Sequence, residues 1–222
     1  MPWPFELITV PGQKALATLA QLQAGSSGIP LILGDAERLA NMQEIVDANS
    51  DTPFATLREQ ALAIDVPAWF AARIADDPEY YLIEAAPWPE HDPGPNTELI
   101  AHCDITTGEP YPEVLLCIIP THDAWLVPCY LPFGGWNACP AAEEHSALWK
   151  YWGERYGAQV VCIADDVVEM QVARPPTTRE AALQLAREQF IYCTDIVDQG
   201  VESIEALAAL LLNASVWYFW WD

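Results

Sequence analysis

Positive charge is what this sequence most lacks. Nine Lys and Arg stand against 32 Asp and Glu, a formal net charge of −23 at pH 7. A field of that sign repels phosphate backbones and anionic lipid surfaces, so neither nucleic acid nor membrane is expected as a partner. It favours cationic ligands or a basic protein partner with fast, steered encounter, and it also keeps an apolar chain in solution. Long aliphatic runs are missing as well. The longest apolar stretch, residues 206–221, is split by Asn213 and Ser215 and turns aromatic in its second half. It is not read as a membrane span. The opening Met1-Pro2-Trp3-Pro4-Phe5-Glu6 has neither a basic stretch nor an apolar one, which argues against a secretory signal. Cys103, Cys117, Cys129, Cys139, Cys162 and Cys193 form no Cys-x-x-Cys pair. Their scatter predicts reduced, mostly core thiols in a cytoplasmic protein.

Catalytic and cofactor motifs are also missing. There is no Gly-x-Ser-x-Gly. Gly25-Ser26-Ser27-Gly28 follows a helical pattern and lacks the Gly-Lys-Ser/Thr ending of a phosphate loop. His102-Cys103-Asp104, His122-Asp123 and the Cys139/His145 pair hold metal-ligand types without the short paired spacing of zinc sites. Cys193 closes an apolar helix face, where a thiol is inert packing rather than half of a Cys–His dyad. No metal, cofactor or catalytic residue is therefore assigned.

What is present is a core-forming chain of 222 residues, 52% hydrophobic, with ten tryptophans. Short strands are expected at residues 5–10, 29–33, 114–119 and 124–130, and a hairpin at 159–163 and 167–172 with Ala164-Asp165-Asp166 as its turn. In its second arm Val168, Met170 and Val172 face one way, Glu169 and Gln171 the other. Helices are expected at 13–23, at 36–48 behind the N-cap Asp35, at 52–64 and at 66–75. A further helix follows Pro140, carries His145, Leu148, Trp149, Trp152 and Tyr156 as one apolar stripe, and stops at Gly157. Thr177 with Glu180 reads as a capping box opening a helix to residue 192, and Ser203 caps a last helix at 204–212. Residues 87–95, with four prolines, form a loop, and 195–200 form another. The end, Val216-Trp217-Tyr218-Phe219-Trp220-Trp221-Asp222, alternates Trp217, Phe219 and Trp221 against Tyr218, Trp220 and Asp222. So aromatic a strand is expected to be buried in the sheet. The fold class is α+β, or mixed α/β: a central mixed sheet with flanking helices. The softest boundary divides an N-terminal α/β region, residues 1–112, from a C-terminal α+β domain, residues 113–222.

The second half carries a recognisable set of motifs. They are Gly135-Trp136-Asn137; Leu148-x3-Trp152-x2-Arg155-Tyr156-Gly157-Ala158; Pro175-Pro176-x-Thr178-Arg179-Glu180-x-Ala182; Cys193-x-Asp195-x2-Asp198-Gln199-Gly200; and Trp217-x-Phe219-Trp220-Trp221-Asp222. On these the C-terminal half resembles a bacterial domain family of unknown function, number four-two-five-three. The resemblance implies a domain name and no activity.

Within the matched region Trp136, Asn137, Asp195, Asp198, Gln199, Trp220 and Asp222 are the candidate ligand- or partner-binding residues. Asp195 and Asp198, three apart, suit acid–base work or a cation; they equally suit capping of the next helix or satisfying loop N–H groups. Trp136, Trp149, Trp152 and Trp220 suit an aromatic pocket or core packing. Acidity, size and the missing catalytic motifs favour a non-enzymatic protein-binding module. By analogy it is immunity- or antitoxin-like, docking a basic protein such as a toxin or effector. The alternatives are a small-molecule enzyme or ligand sensor with its pocket near Trp136, Asn137, Asp195 and Asp198, and a scaffold whose N-terminal half has a separate role.

Overall fold

A computed structural model describes residues 3–91 and 93–222. Met1 and Pro2 of the opening stretch, and Asp92 of the proline-rich segment, lie outside the described residues. The chain runs β1 (Ile8–Val10), α1 (Ala15–Gly25), β2 (Ile29–Gly34), α2 (Ala36–Asn49), α3 (Phe54–Ala63), α4 (Val66–Asp76) and the single turn α5 (Pro78–Tyr81). After a long irregular segment come β3 (Val114–Ile119), α6 (Val127–Tyr130), α7 (Ala142–Tyr156), β4 (Ala158–Ile163), β5 (Val167–Val172), α8 (Arg179–Tyr192), α9 (Ile204–Leu211) and β6 (Val216–Trp220). The strands form one mixed six-stranded sheet in the order β1-β3-β2-β4-β5-β6. β2 and β4 are parallel, Ile32 opposite Cys162, and the other pairings are antiparallel. β2 thus sits between β3 and β4, so strands from both sides of residue 112 share the sheet.

Alternation along each strand sorts side chains to two faces. Leu31, Leu33, Cys117, Ile119, Val160, Ile163, Val168, Met170, Trp217 and Phe219 join the main core on the face that carries α2, α7, α8 and α9. Ile32, Val114, Leu116, Val161 and Cys162 face the other way, onto Ala15 and Leu19 of α1. β6 pairs with β5 alone, and its aromatic face is buried, with Trp217, Phe219 and Trp221 at 0–1% exposure. Trp152 stacks parallel to Phe219 and meets Trp217 and Tyr192 edge-on, the arrangements that aromatic quadrupoles favour.

Most local signals hold. Asp35 caps α2, accepting from Glu37 N at 3.1 Å and Arg38 N at 3.0 Å, and Ser203 caps α9. Gly157 ends α7 in the left-handed region at φ 63°, and the 159–172 hairpin forms. Three assignments are corrected. Residues 124–130, expected as a strand, form a 3-10 turn, Ala124–Leu126, running into α6. Pro128 has no N–H for a ladder and fits a first helical turn instead. The expected loop at 195–200 is a π-helical turn, Ile196–Val201. The N-cap of α8 is Thr178, not Thr177: its side chain accepts from Ala181 N. Residues 83–113 hold no helix or strand among those described, apart from a bridge between Cys103 and Pro110.

Candidate functional site

The parallel pair β2/β4 ends where the chain turns into α2 on one side and into Asp165-Asp166 on the other. The crevice beyond the carboxyl ends of parallel strands is where α/β sheets place ligands. Gly34 leaves β2 with φ 84°, and a Cβ there would lie 2.7 Å from Arg38 Cδ, so the Arg38 stem packs directly on the glycine. Its guanidinium reaches Asp165 at 2.8 Å and Asp166 at 2.5 Å, and Nε donates to the Tyr111 hydroxyl at 3.3 Å. Asn41 donates to the second Asp165 oxygen at 2.8 Å. Burial works against the Arg38 charge, but Tyr111 and the two carboxylates outweigh it and hold the group protonated. Burial raises Asp166 above the usual carboxylate range, with Arg38 opposing.

Beside this cluster lies a cavity of about 340 Å³, lined by Ile45, Asn49, Gly134, Trp136, Asp165 and Asp166. Asn49 anchors its loop, donating to Pro132 O at 3.1 Å and Gly134 O at 2.9 Å. Gly134 has φ 95°, and a Cβ would fall 1.9 Å from Pro140 O, so no other residue fits there.

The motif residues form a chain of contacts running away from this cavity. Trp136 packs edge-on against Phe133 at 5.0 Å, and Phe133 against Trp221 at 6.0 Å. Asn137, at φ 45°, donates from Nδ2 to Asp222 O at 2.5 Å. Asp222 N donates to Asp195 Oδ2 at 3.1 Å, and Gln199 Nε2 to Asp195 Oδ1 at 3.0 Å. Both oxygens of Asp195 are therefore engaged. Asp198 turns elsewhere, accepting from the Tyr80 hydroxyl, whose pKa burial and this carboxylate push up to about 12. Trp220 is half-buried on the face opposite Trp221, and its carbonyl accepts from Cys193 Sγ at 2.9 Å. The structure brings Asn137, Asp195, Gln199 and Asp222 together and leaves Asp198 outside the set. These contacts clamp backbone and position no proton donor at an open surface.

His145 of the α7 stripe is fully buried among Phe133, Trp149, Tyr192 and Trp221. Nδ1 lies 2.7 Å from the Tyr192 hydroxyl, which also accepts from Trp149 Nε1 at 2.9 Å, and Nε2 lies 3.5 Å from Cys139 Sγ. Burial lowers its pKa to about 3, so the ring stays neutral. The same burial raises the Cys139 and Cys193 thiols. Both groups therefore stay protonated thiols.

Sequence reasoning missed two features. Asp165-Asp166 read as a bare turn, although a scarce Arg sits 127 positions away in sequence to pair with it. Glu169 read only as lying on the face of β5 opposite Val168 and Met170, yet it is 0% exposed there, because residues 100–101 cross over it. Its carboxylate accepts from Ile100 N at 2.7 Å and Ala101 N at 3.2 Å. Burial pushes its pKa up to about 7, against those two bonds. Gln171 shares its face of β5, and nothing in the local sequence marks Glu169 as the fully buried one of the two.

Residues 115–222 match the family model described as Domain of unknown function (DUF4253), the family that the motifs of this half resemble. No curated protein and no solved structure matches the chain. Arg38, Asn41 and the central strand β2 lie outside the matched span.

Proposed function

We propose that the protein is a non-enzymatic binding module for a basic protein partner, in the manner of immunity or antitoxin proteins that neutralise a toxin or effector. The carrying observation is the charge of −23 together with the use made of the nine cations. Arg38 and Lys150 are ion-paired within the fold, and Arg73, Arg155 and Arg179 lie over Trp69, Tyr151 and Trp88. Arg174 donates to Glu154 O at the end of α7. Six of the nine cations are thus engaged within the fold, and the excess of 32 acids over nine bases leaves a strongly negative surface, which steers and orients a basic protein. The buried His145 and thiols, and the doubly engaged Asp195, support a binding rather than a catalytic role. Among the described residues no helix is long and apolar enough to cross a membrane. Six free thiols support the cytoplasmic location that belongs to this reading.

Purification from the native host at low salt, followed by native mass spectrometry, tests the proposal. A stoichiometric basic protein that dissociates on adding salt is the expected result. A complex indifferent to ionic strength counts against it. One observation favours a second reading, a small-molecule sensor: the cavity beside Trp136 joins an indole to Asp165 and Asp166. An organic cation suits such a lining, and its mass on the purified protein, lost on Trp136→Ala, is the result that reading requires.

A further inference from the structure

The second face of the sheet is only partly covered. α1 lies over β3 and β2, while residues 97–105 cross above β5, tied down at Glu169. Between them runs a trough of about 1100 Å³, at or beyond the upper end of the roughly 300–1,000 Å³ usual for small-molecule sites. Leu16 and Leu19 form one wall, Ile100 and Ile105 the other, and Gln159 and Gln171 line the floor. Leu16 and Ile100 are each 38% exposed and Ile105 is 68% exposed, so large aliphatic groups meet water on both walls. His102 also lines the trough; it is 9% exposed, and its Nδ1 has no hydrogen-bond partner among the described residues.

Charge selects among occupants. Glu98 and Asp104 line the trough, and Asp104 is held below the usual carboxylate range by the Thr107 and Thr106 N–H groups. The cation at its end, Arg174, donates to Glu154 O at 2.8 Å and reaches Gly153 O at 3.4 Å, so it is turned to the carbonyls that close α7. The floor consists of side chains on the paired strands β4 and β5. The start of the edge strand β6 also borders the trough, but Val216 N there already donates to Asn96 O at 3.2 Å, so a helix laid into the groove suits this floor better than an added strand.

We propose that this trough seats an amphipathic basic helix of the partner. Its aliphatic stripe would fill the space between Leu16 and Ile105, its flanking Lys or Arg would meet Glu98 and Asp104, and a polar side chain would satisfy His102. This rests on the reading that the partner is a basic protein.

The test uses the full chain and two labelled probes of equal charge, a helical Leu/Lys peptide and an oligolysine, followed by fluorescence anisotropy at low salt. The Leu/Lys peptide binds at least about tenfold tighter. Leu16→Asp with Ile105→Asp abolishes that advantage, whereas Leu82→Asp with Ile83→Asp, at exposed positions elsewhere, preserves it. All four positions are exposed, so both variants keep the parent melting temperature. Equal binding of the two probes, or a Leu/Lys advantage that survives the trough variant, overturns the trough and leaves the charge reading standing. Failure of both probes to bind overturns the two together.

Discussion

Replacing Glu169 by Gln should stabilise the protein at alkaline pH and leave it nearly unchanged at acidic pH. The carboxylate is 0% exposed, no Lys or Arg among the described residues pairs with it, and burial raises its pKa from 4.5 to about 7. The fold therefore keeps this proton to about pH 7, whereas the unfolded chain releases it near pH 4.5. Between those values the native state binds more protons, so stability from this group falls as pH rises and stays low above the window. At about 1.4 kcal/mol per unit the full cost is roughly 3 kcal/mol, set by desolvation net of the two backbone bonds. Gln resembles the protonated acid, with one acceptor oxygen for Ile100 N and a donor end. Near pH 5 the two proteins should differ by less than about 1 kcal/mol. Near pH 8.5 the variant should be more stable by about 2–3 kcal/mol. Urea unfolding of both proteins across this range measures the difference, in which other titrating groups cancel. A variant less stable at alkaline pH would show that the two N–H bonds outweigh desolvation. A pH-independent difference would show that Glu169 does not titrate there.

His145 makes the opposite contribution. Its folded pKa is lowered to about 3 from 6.5, so the unfolded chain takes up the proton first, and stability from this group is lost as pH falls through that window. A His145→Gln variant should unfold less steeply with acid, and a slope equal to the parent's would refute the burial account. Arg38→Met leaves Asp165 and Asp166 without their cation and should cost about 2 kcal/mol, much of it recovered by adding Asp165→Asn and Asp166→Asn; additive losses in denaturant titration would show that the three do not interact. Trp152→Ala removes the indole between Tyr192, Trp217 and Phe219 and should cost about 3–5 kcal/mol, with a loss under about 1 kcal/mol excluding that packing. Asp195→Ala should cost about 1–2 kcal/mol by freeing Gln199 and Asp222 N, and should raise amide exchange at Asp222; protection unchanged at that amide would contradict the clamp.

Local chemistry was legible at most caps and stripes, with the α8 cap off by one residue, at Thr178 rather than Thr177. Asp35 and Ser203 cap their helices, Gly157 stops α7, and the stripe from His145 to Trp152 is buried as its spacing requires. Trp217, Phe219 and Trp221 share the buried side of β6 because a strand alternates whatever lies beside it. Residues 124–130 misled because a short apolar run carries no period to separate strand from helix, and Pro128 settled it only in three dimensions. The family resemblance put Asn137, Asp195, Asp198, Gln199 and Asp222 in one set; the structure joins Gln199 and Asp222 N to the Asp195 carboxylate and Asn137 to Asp222 O, while Asp198 pairs with Tyr80. Glu169, Arg38 and the trough were illegible for a shared reason. Each depends on a segment distant in the chain: residues 97–105 crossing β5, or α2 meeting the β4–β5 turn. No local pattern encodes those meetings.

In the proposed function, acidic surface charge is what binds the basic protein. The most direct test is the dissociation constant of the host-purified complex, measured from about 50 to 500 mM salt. Loss of several counterion-screened contacts over a Debye length that shrinks from roughly 14 to 4 Å should weaken binding by at least about a hundredfold. A dissociation constant that stays within about twofold over that range would contradict the claim and direct attention to the cavity beside Trp136.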